Sequence, residues 1–537
     1  MNRVLMLGLD GISFSVLRPA FDAGHMPRLK RLLDGGASGV LTSTVPPFTP
    51  PGWTSIFTGV NPGKHGIFGF TQGNAQKSSG LVRLDHVTSP AIWNVANAQG
   101  VRIGLFNIPM TYPPPPVEGW AVSGMLTPEE RREAPANFTY PETLGPTIVE
   151  KSGGYEIDVE VDYERDWRST EIIERLSRNL STKRRALSYL IEERDDVGIL
   201  FAVLEAPDRL MHVHYKYIDP SYDHFFLPEA EPIRARVWRF FDEMDEVIGD
   251  LLGWAGPDAF VITMSDHGFQ GKDKSVNVNL ALMGWGLLTV SGVGKIAASG
   301  GLRRVAGRFK GVLPRKAYSR ARSMARSIDW SKTSAFSAPN PQQGIYINLR
   351  GREPYGIVPE SEYETVRNEV IDHFSSWIDP DDGKLVVDEI YRREDVMNGP
   401  DTASAPDLFP VCRHYSYELS DALYADSALS DFRDMPRGFH HMDGIFGIAG
   451  PGIGPSSDNV ASIYDIAPTT LYLAGLDTPA SDGRVLVEHI PQKILASRPV
   501  QVVDMDLPLA GEGIESSPYT AEEEARIEET LRNLGYL

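Results

Sequence analysis

The sequence predicts an α/β protein with a central, mostly parallel sheet flanked by helices. Three observations carry that expectation. Short apolar runs recur at residues 4–9, 102–106, 197–204, 259–264 and 345–348, with the continuous hydrophobicity of strands covered on both faces. Longer segments of helical character, 169–193 and 233–252, lie between them. Several of the apolar runs also end directly on an acid, a pattern of ligand-binding α/β sheets.

Taken in order, the first run leads into Asp10. The run 197–204 leads into Glu205-Ala206-Pro207-Asp208, and the run 259–264 into Ser265-Asp266-His267-Gly268. In open α/β sheets ligands bind outside the carboxyl ends of the strands, so three strands deliver carboxylates to that edge. Taken singly, each acid reads as a helix cap or a surface group. Three together, with histidines nearby, favour a metal centre. Asp208 and His212 are four apart, which places both on one face of a helix. Asp266 and His267 are adjacent on a predicted loop. His440 lies in Gly438-Phe-His-His-Met-Asp-Gly444, read as a loop before an apolar run. Carboxylate oxygen with imidazole nitrogen suits zinc, manganese or iron. His214 and His441, beside these residues, read as structural or supporting.

Thr49 begins Thr49-Pro-Pro-Gly-Trp-Thr-Ser-Ile-Phe-Thr58, which predicts a helix with Thr49 as N-cap and Pro50 at its first position. A helix N-terminus also offers free N–H groups and a positive dipole end to a phosphoryl group. A hydroxyl there becomes a useful nucleophile only when activated, as by a metal. Other signals fail. Gly59-Val-Asn-Pro-Gly63-Lys64-His65 is one residue short of a phosphate loop and has His where Ser or Thr is needed. His-Glu-x-x-His and Gly-x-Ser-x-Gly are absent. Gly450-Pro-Gly-Ile-Gly454 reads as a turn.

The ordered set of motifs resembles the alkaline phosphatase superfamily, in its type I phosphodiesterase/nucleotide pyrophosphatase branch. The resemblance runs through Leu9-Asp10-Gly11, Thr49, Thr58-Gly-Val-Asn-Pro-Gly-Lys-His-Gly66, Pro207-Asp208 with His212, Ser265-Asp-His-Gly268, and His440 before Gly444-Ile-Phe. Asp465-Ile-Ala-Pro-Thr-Thr-Leu471 and Asp482-Gly-Arg484 look like its closing segment. It implies an alkaline-phosphatase-like sandwich and a site for two divalent metal ions, zinc foremost with manganese or iron as alternatives. Asp208, His212 and His440 would hold one ion, and Asp10, Asp266 and His267 the other, together with Thr49. Thr49 would attack phosphorus and form a phosphothreonine that water then hydrolyses. The implied activity is metal-dependent hydrolysis of phosphoesters, diester or pyrophosphate bonds above all. The alternatives are a phosphomonoesterase or phospho-group transferase on the same site, and a non-catalytic protein binding a phosphorylated ligand. A sulfatase is disfavoured, because Cys-x-Pro-x-Arg is missing. Nucleotide-hydrolysing relatives often carry Asn near the position of Phe70, and Asn107 is a candidate replacement as a substrate contact.

Composition sets outer bounds. With 42% hydrophobic and 23% charged residues the chain is neither disordered, collagenous nor a coiled coil as a whole. The 52 Lys and Arg against 72 Asp and Glu leave −20, which disfavours nucleic-acid coating but not a small phosphorylated substrate. Within 291–332 eleven cations face one acid, Asp329, so this segment carries +10 and the remainder −30. Its part 315–327 reads as a basic helix. The expected division is a core in two parts, 1–290 and 346–500, a basic insertion or lid at 291–345, and a tail with a helix at 501–537. The single Cys412 allows no internal disulfide and fits a reducing compartment. The opening residues lack the apolar region of a signal peptide, and no stretch reaches the ~18–20 apolar residues of a membrane span. The expected location is cytoplasmic.

Overall fold

The computed structural model describes residues 3–533, apart from 75, 77–79, 130–132, 160, 162–165, 167, 168, 292–327, 338–342, 424 and 515–518. Its strands in chain order are β1 (Val4–Leu9), β2 (Ala37–Thr42), β3 (Ile103–Ile108), β4 (Gly119–Ser123), β5 (Thr139–Tyr140), β6 (Ile199–Leu204) and β7 (Phe260–Met264). There follow β8 (Gly268–Gly271), β9 (Lys274–Asn277), β10 (Ala335–Ser337), β11 (Ile345–Ile347), β12 (Glu389–Arg392) and β13 (Leu408–Val411). The last are β14 (Tyr417–Ser420), β15 (Leu429–Asp431), β16 (Gly438–His441), β17 (Asp443–Ala449) and β18 (Ser456–Ser462).

Nine of these strands form one sheet, in the order β18-β2-β17-β7-β1-β6-β3-β4-β5. Pairing is parallel from β7 through β1, β6 and β3 to β4, and between β18 and β2. β17 runs antiparallel to both its neighbours, and β5 to β4. Every residue of β1, β3, β6 and β7 is buried, as their largely apolar composition predicts. Helices Glu171–Glu193 and Ala230–Ala255 flank the sheet and contact each other. The mostly parallel sheet with flanking helices is the fold class the sequence predicts.

Register delivers chemistry to one edge. β1 pairs Leu9 with Leu204 of β6 and Gly8 with Met264 of β7. One residue beyond Leu9, Asp10 therefore falls level with Glu205, and on the other side with Asp266.

A second hydrophobic cluster stands beside the main core, built from residues between Val276 and Leu423. It packs a four-stranded sheet, β10-β11-β13-β12, and a three-stranded one, β14-β9-β15. The run 345–348, expected among the core strands, belongs here. As β11 it pairs antiparallel with β10 and β13, so its apolar side chains are buried away from the main sheet. Of the basic segment, the cations from Lys295 to Arg326 and the predicted helix 315–327 lie outside the described residues. The helix Ala521–Asn533 begins at a reciprocal cap, in which Thr520 Oγ1 accepts from Glu523 N (3.3 Å) and Glu523 Oε2 accepts from Thr520 N (2.7 Å). Among the described residues no helix is long and apolar enough to cross a membrane.

Candidate metal centre

The seven residues expected to form the site come together at the carboxyl edge of the sheet, and none is more than 2% exposed. Asp10 follows β1. Asp266 and His267 link β7 to β8. Asp208 and His212 share one face of the helix Ala206–Ile218, which starts directly after β6. His440 was expected on a loop. It lies instead in β16, which pairs antiparallel with β8 and sets His440 opposite Phe269. Thr49 opens the helix Thr49–Thr58, but the N-cap is Phe48, in extended conformation, so Thr49 is the first helical residue. That shift by one frees the Thr49 hydroxyl from capping, and its Oγ1 lies 3.3 Å from His267 Nε2.

The ring nitrogens converge. Asp208 Oδ1 lies 3.4 Å from His212 Nε2, 3.3 Å from His440 Nε2 and 3.9 Å from His267 Nε2. His267 Nε2 is also 3.2 Å from Asp266 Oδ2 and 3.7 Å from Asp10 Oδ1. Two donor groups result, Asp208 with His267 and His440, and Asp10 with Asp266 and His267, each with donor atoms within 4.8 Å of one another. His267 belongs to both. Backbone carbonyls fix the ring tautomers. His440 Nδ1–H donates to Pro47 O (2.9 Å) and His267 Nδ1–H to Gly268 O (3.1 Å), which turns each Nε2 lone pair inward.

This donor set fits divalent metal. Asp10 Oδ1 and Asp266 Oδ2 are buried and accept no hydrogen bond, an arrangement that is costly without a counter-charge. Burial, with repulsion from Asp266 and Asp208, holds the Asp10 carboxyl well above its usual range. Asp266 is raised likewise, by burial and by Asp208. Burial opposes ionisation of Asp208 too, but His212, His440 and the Arg209 guanidinium outweigh it and hold this carboxyl low. Burial lowers His212 to about 4 and keeps His267 far below its ordinary value, so both present neutral nitrogens.

Supporting residues are less visible in sequence. Trp53 Nε1 donates to Asp10 Oδ2 (3.0 Å). Its ring crosses β1 at Gly8, where a Cβ would stand 2.5 Å from the Trp53 ring, so only glycine allows the approach. Gly11 N donates to Asp266 Oδ1 (3.3 Å). Arg209 pairs with Asp208 and with Asp158. A buried arginine beside a predicted ligand carries no pattern in the sequence, because its partner Asp158 lies in a distant segment.

Asn107 is buried at a left-handed φ of 59°. Both of its amide hydrogens are used internally, on Val203 O (3.0 Å) and Glu205 Oε2. In this arrangement it offers no donor to a substrate. Phe70 packs into the main core. The failed phosphate loop is structural: Asp482 accepts from Asn61 N (2.8 Å) and Nδ2 (2.7 Å) and pairs with Lys64. His65, lowered to about 3 by burial, joins Ser55 Oγ to Ile67 N. His214 stacks on Tyr217, and His441 Nδ1 accepts from Asp443 N (3.1 Å).

A largely parallel α/β sheet with a buried carboxylate–imidazole cluster at its carboxyl edge defines a metal-dependent hydrolase class. The chain belongs to the type I phosphodiesterase/nucleotide pyrophosphatase family, whose model matches residues 4–423. It is accordingly an enzyme of metal-dependent phosphoester hydrolysis. The fold is shared with a phosphonoacetate hydrolase from Sinorhizobium meliloti 1021 solved with phosphonoformate, at 18% identity and TM-score 0.50 over 88% of this chain and 95% of that one. It is shared also with an inactive variant of murine ectonucleotide pyrophosphatase/phosphodiesterase 5 in complex with AMP, at 13% identity and TM-score 0.50 over 91% and 100%. No curated protein sequence matches the chain.

Proposed function

We propose that the enzyme cleaves phosphodiester or pyrophosphate bonds of a small phosphorylated substrate, with Thr49 as nucleophile and a phosphothreonine as intermediate. The observation that carries this reading is the placement of Thr49. Its hydroxyl is buried at a helix start, 3.3 Å from His267 Nε2, the nitrogen that faces Asp10, Asp266 and Asp208. The helix N-terminus faces the same place and favours the anionic phosphoryl group. Bound divalent ions, two in this reading and zinc foremost, would supply charge neutralisation on the phosphoryl oxygens and a lowered pKa for the Thr49 hydroxyl. Asp208, His212 and His440 would hold one ion, and Asp10, Asp266 and His267 the other. Thr49 Oγ forms its bond to phosphorus as the bond to the leaving oxygen breaks, and the leaving group departs as an alcohol or phosphate. Water then attacks phosphorus, restores the Thr49 hydroxyl and releases the second product. The Nε2 atoms of His267 and His440 stay aimed inward, held by the backbone partners of Nδ1. Preference for diester or pyrophosphate bonds over monoesters is supported by the family.

Turnover of bis-p-nitrophenyl phosphate and p-nitrophenyl phosphate by Thr49→Ala and Thr49→Ser tests the reading. Ala is expected to lose at least ~10³-fold in kcat, and Ser to retain measurable activity. Acid-quenched wild-type enzyme should carry a phosphate on Thr49 by mass spectrometry. Unchanged turnover in Thr49→Ala would remove the nucleophile.

A further inference from the structure

Arg209 is among the largest fully buried side chains of the described molecule, 1% exposed. Its three kinds of nitrogen are distributed between two carboxylates. Nη1 donates to Asp208 Oδ2 (2.5 Å), while Nε and Nη2 grip Oδ1 and Oδ2 of Asp158 at 3.2 and 2.6 Å. Nη2 also lies 3.5 Å from Met125 Sδ. The other oxygen of Asp208, Oδ1, faces His212, His440 and His267. The guanidinium thus divides Asp208: one oxygen is held from outside, and the other is aimed into the imidazoles.

The outer end of this strut is itself fixed. Glu156 O accepts from Asn179 Nδ2 (2.9 Å), and Ile157 N donates to Glu129 Oε1 (2.5 Å), so the backbone is tied at the two residues before Asp158. A planar fork held on two oxygens defines a direction that a flexible ammonium does not. The charge of Arg209 offsets those of Asp208 and Asp158, which a lysine would also do; what the fork adds is direction. That direction orients a ligand.

We propose that Arg209 is a positioning residue, which aims Asp208 at its cation and couples the centre to the wall carrying Asp158. This rests on the metal-centre reading above. Zinc binding by the full-length chain, followed by equilibrium dialysis, tests it with Arg209→Lys, Asp158→Asn, the double variant and Asp208→Ala. Arg209→Lys keeps the charge and removes the fork. Asp158→Asn touches no ligand, and Asp158 is the more exposed partner, at 18% of its side chain. Each single variant is expected to weaken zinc binding by about 10-fold. The double variant is expected to bind no more weakly than the worse single one, and excess zinc to restore kcat/KM. Wild-type zinc affinity in both single variants, with Asp208→Ala impaired, would overturn the positioning role. So would a raised KM with zinc affinity unchanged, which would make Arg209 a substrate contact. Wild-type zinc affinity in Asp208→Ala would instead overturn the metal-centre reading, and the positioning role with it.

Discussion

Glu129 lies in the wall beside Asp158, and burial pushes its carboxyl up from 4.5 to about 8. The sign follows from linkage. The folded state holds this proton more tightly than the unfolded chain does. The associated stability is complete below about pH 4.5 and is lost as pH rises towards 8. Glu129→Gln keeps the neutral shape at every pH. It is expected to leave thermal stability unchanged near pH 5 and to raise it near pH 8.5 by about 1–3 kcal/mol. Thermal unfolding followed by circular dichroism at the two pH values checks this, and equal gains at both would contradict it. At the same scale the sequence reveals donors more readily than their supports. Asp10, Asp208, His212, Asp266, His267 and His440 stand out because acids follow apolar runs and because Asp208 and His212 have helical spacing. Arg209 and Trp53 do not, because what each does depends on a partner far away in the chain.

Among elements, the turn after β1 is the most constrained. Gly11 has a φ of +67°, and a Cβ there would stand 2.6 Å from the Phe269 ring and 3.1 Å from Asp208 Cα. Gly11→Ala is expected to cost about 1–3 kcal/mol in stability and to weaken metal binding by displacing Asp208. Denaturant unfolding and zinc dialysis on one preparation measure both effects. Sequence legibility at this scale follows burial. β1, β6 and β7 are readable because central parallel strands are apolar on both faces. β18 (Ser456–Ser462) is not, since it is a polar edge strand that exists by pairing with β2. β16 reads as a loop because four residues rich in histidine carry no strand periodicity; its ladder with β8 creates it. Of the second cluster between Val276 and Leu423 only the run 345–348 reads as a strand, and its short polar neighbours such as β9 and β14 do not.

For the whole molecule, the acidic total conceals a concentrated charge. Asp10, Asp208 and Asp266 are buried within one cluster, and burial together with repulsion from neighbouring carboxylates holds Asp10 and Asp266 above the usual carboxylate range. A ligand that binds only the folded state stabilises it by about 2.7 kcal/mol at one hundred times its Kd. Exhaustive chelation is therefore expected to lower the melting temperature and abolish turnover, and zinc or manganese to restore both. A melting temperature indifferent to chelation and to added metal would contradict the centre.

β17 lies between β7 and β2 and is antiparallel to both, so β2 and β18 join the sheet only through it. β2 is made early, at residues 37–42, and β17 late, at 443–449. During synthesis, then, β2 must wait, unpaired within this sheet, while some four hundred further residues emerge from the ribosome. His440 emerges just ahead of β17. The last proposed ligand and the strand that closes the gap therefore reach the nascent chain almost together.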